Sequence, residues 1–383
     1  MAYKILVSAG EASGDLYAAE LVTALRKTIP DAEFFGCTGP RMQQAGVRTI
    51  VDAASLGVVG LVEVVSHIPR IYGEFRKLIS AARNEKPDLA ILTDSPDFHL
   101  RVATKLHQQG IPVIYLIAPQ VWAWRQGRVR RMKRDLARLL VIFPFEASWF
   151  SDRGIPADYI GHPLPQIVKP KLAKELFFRK HGIDGSRPVI AILPGSRTGE
   201  VSRHLPAVKE AALQLHSEIG AQLLLATPPG FQERAGAQFF KERIGGVPIK
   251  VIEGETWDVV AHADVAMAAS GTVTVEAALL GTPIVTFYRV TGLSWWLGRF
   301  LVKVPFYSMV NLVAGRKIVP ELMQDAMTGK RLAAEVLELT QNPQARERMR
   351  AELAGVRTKL DTRRDPMEYA ADIVLGQLRK IRA

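Results

Sequence analysis

One loop of the sequence, residues 194–200, reads PGSRTGE and carries residue types that bind anions. Gly195 and Ser196 leave backbone N–H groups free ahead of a predicted helix, and Arg197 adds a forked cation that matches phosphate oxygens. A plain Pro194–Gly195 turn beside a solvated arginine is the competing interpretation. Neither a Walker A sequence nor a G-x-G-x-x-G fingerprint occurs, so the loop predicts an anion site of another kind.

A second loop, residues 269–276, reads ASGTVTVE and offers similar chemistry. Ser270, Gly271 and Thr272 can begin a helix whose N-terminus binds phosphate, and Glu276 follows roughly 6–8 Å further along the helix axis. That spacing matches the distance from a pyrophosphate to the ribose hydroxyls of its nucleotide. The alternative is a capped helix with an exposed glutamate. The two loops together favour a nucleotide ligand.

The loop at residues 7–15, VSAGEASGD, ends the first predicted strand with small residues. Gly10 and Gly14 would allow a ligand to approach the backbone closely. Ser13 or Asp15 could equally be nothing more than a helix cap. The residues do not decide between these two interpretations.

Two carboxylates, Asp94 and Asp97, flank Pro96 in the loop LTDSPDFH at residues 92–99. One of them is positioned to act as a general base. In the structural interpretation Ser95 is the N-cap, Pro96 takes the first helical position, and Asp97 lies in the first turn, where the helix dipole favours its charged form. The choice between the two carboxylates as the base stays open.

These loops follow short apolar runs that alternate with amphipathic segments, a pattern that predicts βαβ units and parallel sheets. Ligands bind at the carboxyl ends of such strands, so the loops that follow strands are where a site is expected. The alternation pauses at the proline-rich residues 159–171, which predicts two doubly wound domains joined near residue 165 and neither helix nor strand in that stretch. The strands are predicted at residues 3–8, 88–93, 112–117, 139–143, 188–193, 221–226, 249–253, 263–269 and 283–288.

Composition narrows the classes of protein and partner. A chain of 383 residues, 48% hydrophobic and 23% charged, is ordinary for a globular protein and long enough for two domains. The single cysteine, Cys37, excludes an internal disulfide or a thiolate zinc cluster, and with no signal-like N-terminus this predicts a reducing cytosol. Glu63, Pro69 and Arg70 interrupt the longest apolar run, so we expect no membrane-spanning helix. The net charge of +12 favours an anionic partner, either nucleic acid, anionic lipid or a phosphorylated small molecule.

Two basic and aromatic stretches bear on that partner. Residues 121–138 place Trp122 and Trp124 among seven Lys/Arg residues, which is typical of a solvated helix face and also suits phosphate or lipid headgroups. Residues 292–303 carry an apolar stripe at helical spacing, which favours core packing or else a helix at a bilayer surface. The stripe comprises Leu293, Trp296, Leu297, Phe300 and Leu301, with Arg299 and Lys303 beside it.

Metal and serine-hydrolase chemistry find no matching pattern. The sequence has no D-x-D pair, its eight histidines lack ligand spacing, and no G-x-S-x-G elbow occurs. We therefore expect a protein that uses neither a metal nor another cofactor.

Taken in order, the motifs resemble those of the lipid-A-disaccharide synthase family nearly end to end. They are SAGEASGD (8–15), GPRM (39–42), DSPDF (94–98), QVWAWRQGR (120–128), FPFE (143–146), IGHPL (160–164), LPGSR (193–197), ASGTVTVE (269–276) and NLVAGR (311–316). The resemblance implies an α/β fold of GT-B architecture, with two doubly wound Rossmann-like domains facing a cleft. Residues 1–165 would bind the acceptor and residues 166–355 the UDP-sugar. A C-terminal helix in residues 356–383 would pack back towards the first domain.

The resemblance also implies an inverting, metal-independent glycosyltransferase. It would join UDP-2,3-diacylglucosamine to 2,3-diacylglucosamine 1-phosphate, forming the β-1,6 lipid A disaccharide 1-phosphate and releasing UDP. Asp97 would be the base for the acceptor 6-hydroxyl, Glu11 would lie near the reacting sugars, and Arg197 would stabilise the departing UDP. The substrate-binding residues would be Ser13, Gly14, Gly195, Ser196, Ser270, Gly271, Thr272, Glu276 towards the ribose, and Asn311 near the donor.

One residue departs from the family pattern, because His99 follows Phe98 where the family often has asparagine. A neutral imidazole can donate or accept as an amide does, so we expect the function to be retained. The accompanying hypothesis is that His99 assists Asp97 and makes the activity unusually sensitive to pH.

Acylated substrates in an anionic leaflet predict a cytoplasmic protein of a Gram-negative bacterium, peripherally associated with the inner membrane. We expect no nucleic-acid partner, and the sequence leaves open whether the chain forms a homo-oligomer. One alternative is another GT-B enzyme of UDP-sugars, such as a UDP-N-acetylglucosamine 2-epimerase. A non-enzymatic alternative is a basic nucleic-acid or membrane-binding module, whose binding would fall steeply with salt without any release of UDP.

Overall fold

Two parallel β-sheets organise the chain, one in each of two structural units. The computed structural model describes residues 2–56, 63–236, 238–292, 295–296, 302 and 304–382. The first unit comprises residues 1–163 and 360–383, and the second comprises residues 164–359.

The first unit contains a seven-stranded sheet of order β3-β2-β1-β4-β5-β6-β7, in which every neighbouring pair is parallel. Its strands are β1 (Lys4–Ser8), β2 (Glu33–Thr38), β3 (Arg48–Asp52), β4 (Leu89–Thr93), β5 (Val113–Leu116), β6 (Arg138–Val141) and β7 (Ala157–Tyr159). The helices that connect them are α1 (Ala12–Thr28), α2 (Pro40–Gln44), α3 (Glu63–Glu85), α4 (Pro96–Gln108), α5 (Val129–Asp135) and α6 (Pro144–Ser151).

The second unit contains a six-stranded parallel sheet of order β10-β9-β8-β11-β12-β13. Its strands are β8 (Val189–Leu193), β9 (Gln222–Thr227), β10 (Ile249–Glu253), β11 (Val265–Ala269), β12 (Ile284–Tyr288) and β13 (Glu321–Met323). Its helices are α7 (Leu164–Ile167), α8 (Lys174–His181), α9 (Thr198–Ile219), α10 (Phe231–Ala235), α11 (Phe239–Ile244), α12 (Thr256–Ala261), α13 (Thr272–Leu280), α14 (Met309–Ala314), α15 (Gly329–Gln341) and α16 (Pro343–Leu360).

The last helix, α17 (Pro366–Arg382), belongs to the first unit and packs against α1. The side chain of Lys27 near the end of α1 forms an ion pair with Glu368 in the first turn of α17 at 2.7 Å. The end of the chain thus covers a helix formed near its beginning.

The central strands β4 (LAILT) and β8 (VIAIL) are buried at every position, because helices cover both faces of each sheet. All nine strands predicted from apolar runs are confirmed within one or two residues of the predicted ends. Four further strands, β2, β3, β7 and β13, lack such a run; three of them are at sheet edges.

The proline-rich residues 159–171 hold more regular structure than predicted. Tyr159 ends β7, and a single helical turn, α7, follows at residues 164–167. The expectation of neither helix nor strand in this stretch is therefore wrong at these short elements. Pro165 fits the turn because the first positions of a helix need no backbone N–H donor.

Each sheet reverses its strand order at one central position, between β1 and β4 in the first unit and between β8 and β11 in the second. Ligands of doubly wound folds bind at such a reversal, outside the carboxyl ends of the strands. The loops after these four strands are those that the sequence singled out, at residues 9–11, 94–95, 194–197 and 270–271.

No helix within the described residues is both long and apolar enough to cross a membrane. Most of the predicted apolar stripe, namely Leu293, Leu297, Phe300 and Leu301, lies outside the described residues, as do Arg299 and Lys303. Trp296 of that stripe is described, and 60% of its surface is exposed.

Candidate nucleotide and acid–base site

A cavity of about 630 Å³ lies at the carboxyl ends of the central strands of the second unit. Its floor is formed by the last residues of these strands, among them Leu193, Ala269 and Tyr288. Seven predicted site residues line it: Gly195, Ser196, Arg197, Ser270, Gly271, Thr272 and Glu276. The volume falls within the range of about 300–1,000 Å³ typical of small-molecule sites.

The PGSR loop forms one wall of this cavity. Gly195 has a φ of +123°, and a Cβ there would lie 2.4 Å from Oε2 of Glu200, so the position requires glycine. The Ser196 backbone N–H donates to the same carboxylate at 3.1 Å. Arg197 is exposed at the N-cap of α9. The Glu200 carboxylate therefore occupies the Ser196 N–H, a donor that the sequence analysis assigns to a bound anion.

His204 on α9 anchors the PGSR loop through a hydrogen bond to the Pro194 carbonyl. Its Nε2 accepts the Arg289 backbone N–H at 3.0 Å, which requires the tautomer whose Nδ1–H donates to the Pro194 carbonyl at 2.7 Å. The side chain is fully buried, and burial lowers its pKa. Sequence reasoning missed His204, because its two partners come from other segments of the chain.

The second wall is the start of α13. Gly271 is the N-cap residue, and the helix begins at Thr272 without a side-chain cap. The Ser270 hydroxyl donates instead to the Tyr307 carbonyl at 2.7 Å. Among the described residues, no side chain accepts a hydrogen bond from the backbone N–H groups of this first turn, which is the arrangement that binds phosphate.

Glu276, one turn further along α13, contacts an aromatic residue that the sequence analysis did not select. The Trp257 indole N–H donates to Glu276 Oε2 at 3.1 Å, and both side chains line the cavity. Burial raises the pKa of Glu276, and the hydrogen bond from Trp257 opposes that rise. The local signal for Trp257 is its place in the first turn of α12, directly after the short loop that follows β10 at the same edge of the sheet.

Asn311, predicted near the donor, lies behind the cavity rather than in its lining. Its amide is fully buried: Oδ1 accepts the Ile318 and Val319 N–H groups, and Nδ2 donates to the Val319 carbonyl and to Glu321. Glu321 in turn accepts the Tyr307 and Ser308 N–H groups. Through Glu321, the Asn311 amide thus supports the segment that contains the Tyr307 carbonyl, which accepts from the Ser270 hydroxyl. Asn311 is therefore linked to the cavity only indirectly.

In the first unit, Asp94 is enclosed by the loop after β1. Its carboxylate accepts the Gly10 N–H at 2.8 Å and the Glu11 N–H at 3.0 Å, and burial raises its pKa to about 7. Asp94 and Ser95 both have positive φ values, 52° and 34°, which are strained for residues other than glycine. A Cβ on Gly14 would lie 1.7 Å from Asp94 Oδ2. Because Gly14 has no side chain, the Asp94 carboxylate can pack directly against its backbone.

In contrast to the mostly buried side chain of Asp94, Asp97 is exposed to solvent. The predicted arrangement is confirmed, since Ser95 is the N-cap of α4, Pro96 is its first residue and Asp97 is in the first turn. The Asp97 side chain is 72% exposed and pairs with Arg125 and Arg128. Ser95 holds the N-cap position, but its side chain makes no capping hydrogen bond with the helix; its hydroxyl donates to Glu11 Oε1 at 3.4 Å instead.

Glu11 precedes α1 and is exposed, as is Ser13 in the first turn of that helix. Asp15, the alternative cap residue, does not cap α1. It is buried and accepts the N–H groups of Gly39, Arg41 and Met42 at 2.9–3.1 Å. This contact joins the SAGEASGD and GPRM motifs.

His99 does not contact the Asp97 carboxylate, so the hypothesis that it assists Asp97 is not supported. The fully buried imidazole bonds through Nε2 to the Ser8 hydroxyl at 2.8 Å and through Nδ1 to the Asp94 carbonyl at 3.0 Å. Burial lowers its pKa to about 4, so it is neutral at physiological pH.

The basic stretch 121–138 separates into a buried part and an exposed part. Trp122 is buried, and its indole N–H donates to the buried Glu146 carboxylate at 2.8 Å. Trp124 is 41% exposed, and its ring lies against the guanidinium of Arg125 at 4.4 Å. The interpretation as a solvated helix face therefore fails for Trp122, which is part of the core.

Comparison with known proteins adds to this geometry. The family model described as lipid-A-disaccharide synthetase matches residues 5–374. The chain belongs to the lipid-A-disaccharide synthase family. The family member from Solibacter usitatus (strain Ellin6076) is 61% identical over 379 residues, covering 98% of both chains. The member from Koribacter versatilis (strain Ellin345) is 43% identical over 377 residues, covering 97% of this chain and 98% of the relative.

This family member is accordingly an enzyme of lipid A disaccharide synthesis, a glycosyltransferase with the GT-B fold. The glycotransferase of kitacinnamycin shares the fold with a TM-score of 0.63 at 17% identity, over 98% of both chains. The UDP-N-acetylglucosamine 2-epimerase from Neisseria meningitidis also has a TM-score of 0.63, at 14% identity over 98% of this chain and 100% of that one. At such identities the likeness concerns the fold alone.

Among the described residues, no three His, Cys, Asp or Glu side chains lie together in a way that could hold a metal ion. Within the part of the chain that the structure describes, two cationic residues line the cavity, Arg197 and Lys171. The other polar residues of the lining are Ser196, Glu200, Glu255, Thr256, Trp257, Asp258, Ser270, Thr272, Glu276 and Tyr288.

Proposed function

We propose that the chain transfers 2,3-diacylglucosamine from UDP to the 6-hydroxyl of 2,3-diacylglucosamine 1-phosphate. The products are the β-1,6-linked disaccharide 1-phosphate and UDP, with inversion at the anomeric carbon. The observation that carries the proposal is a cavity of nucleotide size, lined by two anion-binding loops, in a chain that matches the synthase family over residues 5–374.

The second unit would bind the UDP portion of the donor. Backbone N–H groups at Gly195, Ser196 and the start of α13 would hold the pyrophosphate, with the Arg197 guanidinium beside it. Binding there requires the Glu200 carboxylate to leave the Ser196 N–H, since both anions need that donor. Glu276 would accept from the ribose hydroxyls.

The first unit would bind the acceptor and supply the base. Asp97 takes the proton from the 6-hydroxyl as that oxygen forms its bond to the donor anomeric carbon. The bond from this carbon to UDP breaks, and its electron pair leaves with the phosphate oxygen. Negative charge therefore grows on UDP, where Arg197 and the loop N–H groups stabilise the transition state more than the bound donor. Glu11 and Ser13, exposed beside Gly14, would contact the sugars.

We also propose that this reaction takes place at the cytoplasmic face of an anionic inner membrane. The exposed Trp296 and the net charge of +12 support contact with such a surface. A homo-oligomer stays a hypothesis. The direct measurement is cosedimentation with vesicles of anionic or neutral lipid, comparing the wild type with Trp296→Ser.

The test of the reaction is release of UDP by the full chain in detergent. UDP-2,3-diacylglucosamine is supplied with and without 2,3-diacylglucosamine 1-phosphate, in the presence of EDTA. We expect release that depends on the acceptor and is lost in Asp97→Ala. Asp152→Ala, at an exposed position of the same unit, is the matched control and should retain the wild-type rate.

The same assay tests the epimerase alternative, which the shared fold suggests. Turnover of UDP-N-acetylglucosamine, without release of UDP from the acylated pair, would refute the proposed transfer. Activity that disappears with EDTA and returns with a divalent cation would refute a metal-independent mechanism.

A further inference from the structure

Two arginines contact the proposed base, Asp97. Arg125 Nη1 lies 3.1 Å from Oδ1 and 3.0 Å from Oδ2 of Asp97, and Arg128 Nη2 donates to the same Oδ1. Both carboxylate oxygens are therefore occupied by guanidinium donors. These three contacts take three of the roughly four acceptor positions of a carboxylate, so a hydroxyl must compete with the guanidinium groups for Asp97.

The two guanidinium groups are held by the loop that carries them. Trp124 places its ring beside both, 4.4 Å from the Arg125 guanidinium carbon and 5.9 Å from that of Arg128. Arg125 has a φ of +56°, a conformation that costs energy in a residue other than glycine. Gln126 ties the loop to the core by donating to the Trp122 carbonyl at 3.2 Å. The arginines thus form a preorganised pair.

This pair has more donors than Asp97 can use. Each guanidinium carries five N–H groups, and within the described part of the chain Asp97 is the hydrogen-bond partner found for both. Planar forks of this kind bind phosphate in bidentate fashion. The Arg125 side chain is 47% exposed and the Asp97 side chain 72%, so a ligand can reach both from solvent, whereas the Arg128 side chain is 15% exposed.

We propose that Arg125 and Arg128 form the subsite for the 1-phosphate of the acceptor, and that this phosphate frees Asp97 by taking its place on the guanidinium groups. The inference rests on the proposed function, since it assigns part of the acceptor to residues beside the base. In glucosamine 1-phosphate, C1 and C5, the carbon bearing the 6-hydroxymethyl group, both adjoin the ring oxygen. The phosphate and the 6-hydroxyl therefore lie along one edge of the sugar, matching a guanidinium pair next to a carboxylate.

Charge favours the exchange. A phosphate monoester carries about −1.5 to −2 at pH 7 and three acceptor oxygens, against a single negative charge on Asp97. The pair with Arg125 is exposed at both ends, and breaking an ion pair of this kind costs little. The Arg128 side chain is only 15% exposed, so it needs another anion when Asp97 leaves, and the phosphate supplies one. The consequence is specificity, because a phosphorylated acceptor releases Asp97 from the competing guanidinium groups, which protects the UDP-sugar from hydrolysis in its absence.

The test compares 2,3-diacylglucosamine 1-phosphate with 2,3-diacylglucosamine, measuring kcat/KM for UDP release. Loss of charged hydrogen bonds at two arginines predicts a wild-type preference of roughly 10²–10⁴-fold for the phosphorylated acceptor. In Arg125→Gln/Arg128→Gln this preference should fall below about tenfold, with the donor KM unchanged. Arg131→Gln, at an exposed position on α5, makes a matched charge change and should retain the full preference.

A second arm adds inorganic phosphate to wild type with the dephosphorylated acceptor. Partial recovery of the rate, absent in the double variant, supports exchange of Asp97 for phosphate on the guanidinium pair. A double variant that slows both acceptors equally would overturn the subsite, because the arginines would then serve only to orient Asp97. No UDP release by wild type with the phosphorylated acceptor would instead refute the proposed function itself.

Discussion

Replacing His99 by asparagine should change how the stability of the first unit depends on pH. His99 is fully buried between Ser8 and the Asp94 carbonyl, and burial lowers its pKa from the ordinary 6.5 to about 4. Between these two values the unfolded chain binds a proton at this residue that the folded unit does not bind. The free energy of unfolding therefore falls as the pH falls below 6.5. Above pH 6.5 His99 is neutral in both the folded and the unfolded chain, and the fold keeps its full stability.

The size of the effect follows from the two pKa values. A shift from 6.5 to about 4 corresponds to roughly 3 kcal/mol when the group is titrated completely. Between pH 7 and pH 5 the His99 contribution should fall by about 2 kcal/mol. Asparagine does not titrate in this range. On acidification from pH 7 to pH 5, the free energy of unfolding of the wild type should therefore fall by that amount relative to that of His99→Asn.

The chain contains a built-in probe for the first unit alone. Cys37 on β2 is the single cysteine of the sequence and is fully buried, so it reacts only when this unit opens. Labelling with dithiodipyridine, which reacts with thiols at acid pH, can be followed across a urea series at pH 7 and pH 5. This readout avoids treating a two-unit chain as a single cooperative transition.

The matched control is His107→Asn, on the same helix at an exposed position, which should leave the pH dependence unchanged. A stability difference between wild type and His99→Asn that is equal at pH 7 and pH 5 would refute the reasoning. An altered pH profile of activity, with unaltered pH dependence of stability, would restore the hypothesis that His99 acts on the base.

Three further predictions concern the proposed donor and acceptor sites. Arg197→Ala should lower kcat by about 10²–10³-fold with circular dichroism unchanged, and a near-normal rate would remove it from the site. Glu276→Gln should raise the donor KM by about 10–100-fold. Trp257→Phe should raise the donor KM by less, because this change removes only a hydrogen-bond donor to Glu276, and calorimetric titration with UDP would measure both effects. Gly14→Ala should destabilise the first unit by about 1–3 kcal/mol through its clash with Asp94, which Cys37 labelling measures; unchanged stability would contradict the packing.

The order of the elements could be predicted because apolar periodicity is a local property. Runs such as those of β4 and β8 are buried on both faces, and a continuous apolar run is what such a strand requires. The edge strands β7 and β13 have three residues each, too few for a pattern to emerge. The loops that carry the site were found for the same reason, since each directly follows a strongly patterned strand.

The partners of the side chains in those loops could not be predicted, since they are distant in sequence. Asp94 and Asp97 are three residues apart with similar local surroundings, yet one is enclosed by Gly10 and Glu11 and the other pairs with Arg125 and Arg128. No local pattern encodes contacts that span 28 to 84 positions of the chain.

By itself, then, the sequence determined the two parallel sheets, the loops at their carboxyl ends and the family, because these depend on residue type, periodicity and ordered motifs. Only the tertiary structure decided which carboxylate is buried, which histidine holds the PGSR loop, and which arginines hold Asp97. Burial and long-range hydrogen bonds set the protonation and availability of each group, and both arise only when the strands bring distant loops together.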